Sequence, residues 1–188
     1  MRLILTRHGE TEENVKGISQ GQLLPGILTK LGIEQAEKLA LRLKDEKVDA
    51  IYSSDLARSA DTAKIIAKYH PDAEFHLVEE LRERDLKEYA GKNNAGILFR
   101  DIDDEMESLD SMRKRSKKLL DKVYDKYPDG TVIFVAHGGL NKSFIREIMG
   151  KPDNFKLEHQ HNTSVSIFEI KEDKNHKVHL LNCKKHLD

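Results

Sequence analysis

Hydrophobic residues follow two spacings along this chain, and the two spacings alternate. Short runs that favour β-strands occur at residues 2–6, 49–53, 74–78, 131–136, 165–170 and 177–182. Between most of these runs, apolar residues return every three or four positions, as they do in helices that bury one face. Strands that alternate with helices predict a mainly parallel sheet. We therefore expect an α/β protein with three layers, α/β/α, in which helices cover both faces of a central sheet.

Local signals place the ends of the helices. Thr29 is a residue type that caps helix N-termini, so the first long helix is expected to begin there. The predicted inward face of this helix is Leu31, Ala36, Leu39, Ala40 and Leu43. Three further helices are predicted at about 54–69, 108–127 and 139–150 from apolar spacing and from the glycine and proline residues that follow them.

Length and charge limit the classes of protein that fit. The chain has 188 residues, which suits a single domain over 1–188. Its 32 Lys and Arg nearly balance 33 Asp and Glu, which favours neither a nucleic-acid binder nor an acidic tail, so small-molecule partners are expected. The single cysteine, Cys183, cannot form an internal disulfide, and the apolar run at 3–5 is too short for a signal peptide or membrane span. A cytoplasmic location is expected, whereas the oligomeric state is not predicted.

Residues that suit phosphate chemistry directly follow the predicted strands. Arg7 and His8 follow the first strand, and the next three strands are followed in turn by Arg58, Glu83 and His137. Ligands of open α/β sheets bind in the crevice beyond the carboxyl ends of the strands, so these side chains are expected to converge. A guanidinium group matches phosphate oxygens, and an imidazole that is neutral at physiological pH can act as a nucleophile. The pattern predicts a site for a phosphoryl group.

Taken alone, Arg7-His8-Gly9 fits a structural histidine beside a surface arginine as well as it fits a catalytic motif. Five segments together, however, resemble the histidine phosphatase superfamily, the group that contains the cofactor-dependent phosphoglycerate mutases. They are, in chain order, Arg7-His8-Gly9-Glu10-Thr11 with Asn14, Gln20-Gly21 with Leu28-Thr29, Gly32 and Gln35-Ala36, Tyr52 to Arg58 with Thr62-Ala63, Leu81-Arg82-Glu83 with Gly91, and Val135-Ala136-His137-Gly138-Gly139. The resemblance extends over most of the chain and implies a phosphoglycerate mutase-like fold.

The resemblance implies catalytic roles for the strand-end residues. His8 is expected to attack phosphorus and form a phosphohistidine, and a backbone carbonyl of the Gly9 turn is expected to hold its other ring nitrogen protonated. Arg7, Arg58 and His137 are expected to surround the phosphoryl oxygens and stabilise their charge. Because cationic side chains do this, neither a metal nor another cofactor is expected.

An acid and several substrate contacts complete the expected site. Glu83 is expected to protonate the leaving alkoxide and then to activate water. The motif alignment selects it over the neighbouring carboxylates, which are Glu79, Glu80 and Glu88. Further expected substrate contacts are Asn14, Gln20, Gly21 and Gly138. Asn14 and Gln20 fit loop caps equally well, whereas Gly138 opens a helix whose free N–H groups favour an anion.

The loops depart from the family resemblance. Residues 24–27 and 89–91 differ from the usual segments that contact substrate, and a lid-like segment is expected at about 92–111. This segment is acidic at Asp101, Asp103, Asp104, Glu105 and Glu107. Acidic charge repels a polyanion, which favours a monophosphoester hydrolase over a mutase that acts on bisphosphates. The same acids fit a solvated helix N-terminus equally well.

The sequence therefore predicts a metal-independent phosphatase that acts on a small soluble phosphomonoester, such as a sugar or glycolytic phosphate. A phosphoglycerate mutase and a non-catalytic phosphoryl-binding protein on the same fold are the alternatives. Basic residues at 113–118 are expected to form a solvated helix face and not a nucleic-acid patch. Histidines near the C-terminus could serve a zinc site, but no matching carboxylate or thiol pattern accompanies them, so they are expected to be ordinary surface residues: His159, His161, His176, His179 and His186.

Overall fold

One mixed sheet forms the centre of the fold. The computed structural model describes residues 1–93 and 106–188. Within these ranges the sheet has six strands, β1 (Arg2–Arg7), β2 (Ala50–Ser54), β3 (Glu74–Val78), β4 (Thr131–Ala136), β5 (Val165–Glu169) and β6 (Lys177–Cys183), in the order β3-β2-β4-β1-β5-β6. The first four strands of this order pair in parallel, whereas β5 and β6 add antiparallel pairs beside β1. The predicted mainly parallel sheet is confirmed.

Helices cover both faces of this sheet. They are α1 (Glu12–Val15), α2 (Lys30–Leu43), α3 (Ala57–Ala67), α4 (Leu109–Lys126) and α5 (Gly138–Ile148). On one face, α2 and α3 pack against a cluster that includes Ile4 and Ile51. On the other face, α4 and α5 pack against a cluster that includes Leu5 and Phe134. Because alternate side chains of a strand point to opposite faces, the central strands are buried on both sides and the predicted three layers result.

The first long helix begins where Thr29 predicts it. The Thr29 hydroxyl accepts the N–H of Gly32 at 2.9 Å, so the predicted N-cap is confirmed. The expected inward position of Leu31 is wrong, because this side chain is 50% exposed and Gly32 is buried instead. A Cβ on Gly32 or on Gly9 would overlap the backbone of the facing segment. The N-terminus of α2 therefore presses closely on the turn after β1, which only glycine permits on either side.

The spacing of apolar residues did not predict two local features. The single turn α1 is fixed by a capping box, in which Thr11 accepts the N–H of Asn14 and the Asn14 side chain accepts the N–H of Thr11. Ile170 lies just beyond β5 and not within it. In the described ranges, none of the helices combines the length and apolar character needed to cross a membrane.

The basic segment of α4 is not uniformly solvated. Lys114 and Lys118 are exposed, as expected. The expectation is wrong for Arg115, whose guanidinium group turns inward and forms a salt bridge with Glu107 at 2.7 Å. Glu107 is thus paired with Arg115. Four of the acidic residues named above lie outside the described residues: Asp101, Asp103, Asp104 and Glu105.

Candidate active site

A cavity of about 410 Å³ opens at the carboxyl ends of the parallel strands. The predicted site residues that line it are Arg7, His8, Asn14, Gln20, Gly21, Arg58, Glu83 and Gly138. His137 is not on the cavity wall but is fully buried beside it, with its ring centroid 5.2 Å from that of His8. The structure thus brings the strand-end groups together in the crevice where open α/β sheets bind ligands.

His8 is held in one tautomer. Its Nδ1 lies 2.7 Å from the carbonyl oxygen of Gly9, so Nδ1 carries the proton and the lone pair is left on Nε2. Burial, and then the charges of Arg58 and Arg7, hold the pKa of His8 well below its usual value of 6.5. The ring is therefore neutral at physiological pH, which is the state that a nucleophile needs.

Two buried guanidinium groups lie near this ring. Arg58 donates to two carbonyl oxygens of the 21–24 loop, at 2.8 and 3.0 Å. Arg7 donates to the carbonyl oxygen of Gln160 at 2.7 Å. Burial lowers the pKa of each arginine to about 10, and the charge of Glu83 opposes this shift. Both groups therefore remain cationic at physiological pH, and their hydrogen bonds to the backbone fix their positions.

His137 supplies a second neutral imidazole. Its Nδ1 accepts a hydrogen bond from Nε of Arg58 at 3.2 Å, so its own proton lies on Nε2. Burial, and then the charges of Arg58, His8 and Arg7, hold the pKa of His137 well below 6.5. Its buried Nε2 has no hydrogen-bond partner among the described residues. An N–H donor beside His8 suits an oxygen of a phosphoryl group, so His137 can act there without a charge of its own.

Glu83 is oriented by backbone donors. Its carboxylate oxygens accept the N–H groups of Gly139, Leu140 and Arg84, each at 2.9 Å. The N-terminus of α5 is expected from the sequence to bind the phosphoryl anion, but its N–H groups from Gly139 and Leu140 bind this carboxylate instead. Gly138 keeps a place on the cavity wall. The helix N-terminus therefore positions the predicted acid.

The loop that carries Glu83 is held by Arg115. The guanidinium group donates to the carbonyl oxygens of Glu80, Arg82 and Glu83, at 2.8, 2.7 and 3.2 Å. It also forms a two-point salt bridge with Glu107, at 2.7 and 2.9 Å. The competing carboxylates are all absent from the cavity wall, namely Glu79, Glu80 and Glu88. A side chain from α4 thus fixes the position of the predicted acid.

Asn14 and Gln20 both line the cavity and hold its loops. Oδ1 of Asn14 accepts from the N–H of Thr11 at 3.3 Å and from Nδ2 of Asn162 at 3.1 Å. Nε2 of Gln20 donates to Oγ1 of Thr11 at 2.9 Å. Gly21 has a φ of 54°, in the left-handed region that favours glycine. The loop-cap alternative is thus realised for Asn14, although both side chains remain within reach of a ligand.

Several wall residues were not selected from the sequence: Glu10, Lys142, His159, Gln160 and Asn162. Nδ2 of Asn162 donates to the carbonyl oxygen of His8 at 3.0 Å, and Nε2 of His159 lies 3.5 Å from Nη1 of Arg7. No strand end or apolar spacing marks residues 159–162. Two of them had a signal in the sequence. Lys142 lies four residues after the start of α5 and hence on the same helix face, and Glu10 belongs to the motif that follows the first strand. In the described part of the chain, no group of three or more potential ligand side chains could hold a metal ion.

We expect the folded protein to lose stability as the pH falls from about 7 to about 5. Burial lowers the pKa of His8 and of His137, so below the unfolded-state pKa of about 6.5 the unfolded chain binds protons that the folded chain does not. The stabilisation that comes from keeping these two histidines neutral is complete above the unfolded-state pKa. It is lost as the pH falls toward their lower folded-state pKa. Each histidine then reduces the free energy of unfolding by about 1.4 kcal/mol per pH unit.

Urea unfolding at a series of pH values measures this slope. In His137→Asn, the slope of the free energy of unfolding against pH is expected to be smaller between about pH 6 and about pH 5. The expected difference is about 1.4 kcal/mol per pH unit, which corresponds to the uptake of one proton. Because slopes are compared, a general loss of stability in the variant does not affect the test. A slope equal to that of the wild type would show that His137 is protonated to the same extent in the folded and unfolded chains.

Together these groups define a class of site. A neutral imidazole with a free lone pair, two cationic arginines and an oriented carboxylate meet at one cavity of an open α/β sheet, and a further N–H donor is buried beside it. Phosphoryl transfer requires positioning of the reacting groups and stabilisation of charge spread over the phosphoryl oxygens. The fold and the site are those of an enzyme that transfers phosphoryl groups.

The chain belongs to the histidine phosphatase superfamily, because the profile of branch 1 of that superfamily matches residues 3–183. It is 34% identical over 188 residues to a metal-independent phosphoserine phosphatase from Arabidopsis thaliana. The aligned region covers 92% of this chain and 77% of that protein. It is also 31% identical over 178 residues to a 2,3-bisphosphoglycerate-dependent phosphoglycerate mutase from Thermoplasma acidophilum, covering 89% of this chain and 86% of the mutase.

A solved structure extends this similarity to three dimensions. A mutant phosphoserine phosphatase from Entamoeba histolytica, in complex with phosphoserine, matches with a TM-score of 0.83 and 30% identity, covering 99% of this chain and 98% of that one. The predicted family and fold are confirmed. The family and its phosphatase members support a phosphatase with phosphomonoesterase activity.

Proposed function

We propose that this protein hydrolyses a small phosphomonoester in two displacements at His8, without a metal. In the first, Nε2 of His8 attacks phosphorus, the bond from phosphorus to the alcohol oxygen breaks, and the carboxylic acid of Glu83 gives its proton to that oxygen. In the second, the Glu83 carboxylate takes a proton from water as the water attacks phosphorus and the bond to nitrogen breaks. Inorganic phosphate leaves, and both side chains return to their starting states.

The tautomer of His8 carries this proposal. The contact from Nδ1 to the Gly9 carbonyl leaves the Nε2 lone pair available, and burial keeps the pKa low enough for a neutral ring. Arg7 and Arg58 offer cationic donors to the phosphoryl oxygens, and His137 offers its Nε2 proton. Because the backbone holds these donors before substrate binds, little reorganisation is needed in the transition state.

We propose further that the substrate has about the size of phosphoserine or 3-phosphoglycerate. A cavity of about 410 Å³ lies toward the small end of ligand pockets in proteins. The relatives from Arabidopsis and Entamoeba are both phosphoserine phosphatases by name, which supports this size class. A sugar phosphate is the larger alternative.

Release of inorganic phosphate in the presence of EDTA tests the proposal. Phosphoserine, 3-phosphoglycerate and an aryl phosphate are expected to be hydrolysed at rates that EDTA does not change, and glucose 6-phosphate is expected to react more slowly. The comparison of kcat/KM among these esters ranks the substrate classes. Activity that disappears with EDTA and returns with a divalent metal would contradict the proposed chemistry.

A phosphoglycerate mutase is the second candidate, because one relative carries that name. A mutase returns the phosphoryl group from histidine to a rebound product, whereas a phosphatase gives it to water. Incubating 3-phosphoglycerate with and without a bisphosphoglycerate primer separates these fates. A phosphatase releases phosphate in both reactions, whereas rapid formation of 2-phosphoglycerate that depends on the primer would identify a mutase.

A further inference from the structure

An asparagine from a distant part of the chain lies against the turn that carries the nucleophile. Asn162 is half-buried on the cavity wall, in the connection between α5 and β5, and takes no part in the two displacements. Its Nδ2 donates to the carbonyl oxygen of His8 at 3.0 Å and to Oδ1 of Asn14 at 3.1 Å. One amide group thus contacts both the backbone of the nucleophile and a second side chain of the cavity wall.

Backbone groups determine how the two amides are oriented. The N–H of Thr11 can only donate, and it contacts Asn14 at 3.3 Å, so the end of Asn14 that faces Thr11 is the oxygen Oδ1. The carbonyl oxygen of His8 can only accept, so the end of Asn162 that faces it is the nitrogen Nδ2. The contact between the two amides then joins a donor to an acceptor. Exchange of nitrogen and oxygen in either amide would break a contact with the backbone.

This orientation leaves the Nδ2 end of Asn14 for the ligand. Oδ1 of Asn14 accepts two hydrogen bonds, whereas its Nδ2 donates to none of the residues that the structure describes. Asn14 lines the same cavity as His8 and Arg58. A nitrogen with two N–H bonds suits an anionic phosphoryl oxygen, whereas an amide oxygen in its place would repel that oxygen. The use of Asn14 to the reaction therefore depends on which end of its amide is held away from the phosphoryl group.

Thr11 alone holds this orientation weakly. At 3.3 Å, its hydrogen bond to Oδ1 of Asn14 is longer than hydrogen bonds from N–H to oxygen usually are. Asn162 adds a second donor to the same oxygen, at the shorter distance of 3.1 Å. The terminal bond of an asparagine side chain rotates over a broad range when nothing fixes it. Without Asn162, the oxygen of Asn14 would therefore face the phosphoryl group in a larger fraction of molecules.

Asn162 is itself fixed through its neighbours in the chain. Asn182 of β6 donates from Nδ2 to the carbonyl oxygen of His159 at 2.6 Å and accepts the N–H of His161 at 3.2 Å. On the other side, Thr163 donates its N–H to the last carbonyl oxygen of β1 at 3.0 Å. Because these contacts join the connection to β6 and to β1, the donors of Asn162 need little reorganisation in the transition state.

We propose that Asn162 is a positioning residue for phosphoryl transfer, which orients the amide of Asn14 so that Nδ2 donates to the phosphoryl oxygens. The inference rests on the proposed hydrolase function and adds to it the residue that sets the orientation of one phosphoryl donor. Asn162 acts through Asn14 and not by its own contact with the substrate. Most of its effect on the reaction therefore requires Asn14 to be present.

Single and double substitutions test this dependence. Asn162→Leu keeps the branched shape of the side chain but has no N–H to donate. Its kcat/KM for an aryl phosphate is expected to fall by about ten- to a hundredfold, the range for loss of a hydrogen bond to a charged group. Asn14→Ala should give a loss of similar size, while Thr11 still accepts the N–H of residue 14 and caps α1. The double variant should lose little more than Asn14→Ala alone.

The matched control is Asn154→Leu, which makes the same substitution at an exposed asparagine of the same connection and should keep wild-type kcat/KM. A thermal melt of each variant establishes that it is folded, and Asn162→Ala, which also lacks the donor, takes the place of Asn162→Leu if that variant is not. Unchanged kcat/KM in the folded variant overturns the proposal. Losses that multiply in the double variant overturn it as well, because Asn162 would then act independently of Asn14.

Binding of inorganic phosphate tests the positioning role without turnover. In heteronuclear NMR spectra of the wild type, phosphate is expected to shift the side-chain N–H signals of Asn14, which are identified by their absence in Asn14→Ala. In Asn162→Leu this shift should be smaller, and calorimetry should give about tenfold weaker binding of phosphate. An absent shift in the wild type, or an equal shift in folded Asn162→Leu, overturns the positioning role. If the wild type hydrolyses no ester, the hydrolase function fails, whereas the NMR result still decides the role of Asn162.

Discussion

Replacing His8 with asparagine is expected to lower kcat for every phosphomonoester by on the order of 10⁴-fold or more. Asparagine has no nucleophilic nitrogen, whereas its amide can still donate to the Gly9 carbonyl as Nδ1 of His8 does. The loss therefore reports on the displacement at phosphorus and not on the integrity of the turn. Steady-state release of phosphate from an aryl phosphate and from phosphoserine, with EDTA present, measures it.

The matched control is His179→Asn, which replaces an exposed histidine on β6 that pairs with Glu169. This variant is expected to keep wild-type kcat. Rapid quenching with radiolabelled substrate should also trap label on the wild-type protein. Turnover close to that of the wild type in His8→Asn, or label that still forms on this variant, would show that the nucleophile is another residue.

The second large effect is expected at Glu83. Glu83→Gln should reduce kcat for an alkyl phosphate such as phosphoserine by about a hundred- to ten-thousand-fold, because glutamine cannot protonate the leaving alkoxide. An aryl phosphate has a leaving group that needs less protonation, so the loss on that ester should be smaller. Parallel kinetics on both esters measure the difference. Equal losses would assign Glu83 a role other than protonation of the leaving group.

The same substitution is expected to lower stability. The carboxylate accepts three backbone N–H groups, including those of Gly139 and Leu140, and an amide offers only one acceptor oxygen. At least one buried donor then loses its partner, which costs about 1–3 kcal/mol of the free energy of unfolding. Glu88→Gln, at an exposed carboxylate of the same loop region, is the control and should change neither kinetics nor stability. Urea unfolding measures the stability difference.

Much of the fold and the centre of the site could be predicted because their signals are local. Apolar spacing identifies strands and helices, and Thr29 marks a helix start through its own side chain. Arg7 and His8 directly follow the first predicted strand, and Arg58 lies in the first turn of the helix after the second. Parallel strands bring their carboxyl ends to one edge whatever the loops between them do. The contact from His8 to the Gly9 carbonyl is also local, so it was expected and is present.

Contacts between distant segments could not be predicted in the same way. Leu31 has the apolar character of an inward residue, yet the close approach of α2 to the turn after β1 buries Gly32 in its place. Arg115 belongs to a basic run that suits a solvated face, but the loop after β3 presents carbonyl oxygens to it. Charge and periodicity do not report which segment will face a helix.

The sequence by itself determined the α/β/α fold, the family and the set of residues at the strand ends, because each depends on local spacing or on motifs. The assigned catalytic roles, the single domain and the cytoplasmic location stay predictions. Only the tertiary structure decided that the N-terminus of α5 binds Glu83 and that Lys142 and Asn162 line the cavity. These contacts join segments far apart in the chain, and packing alone brings such segments together.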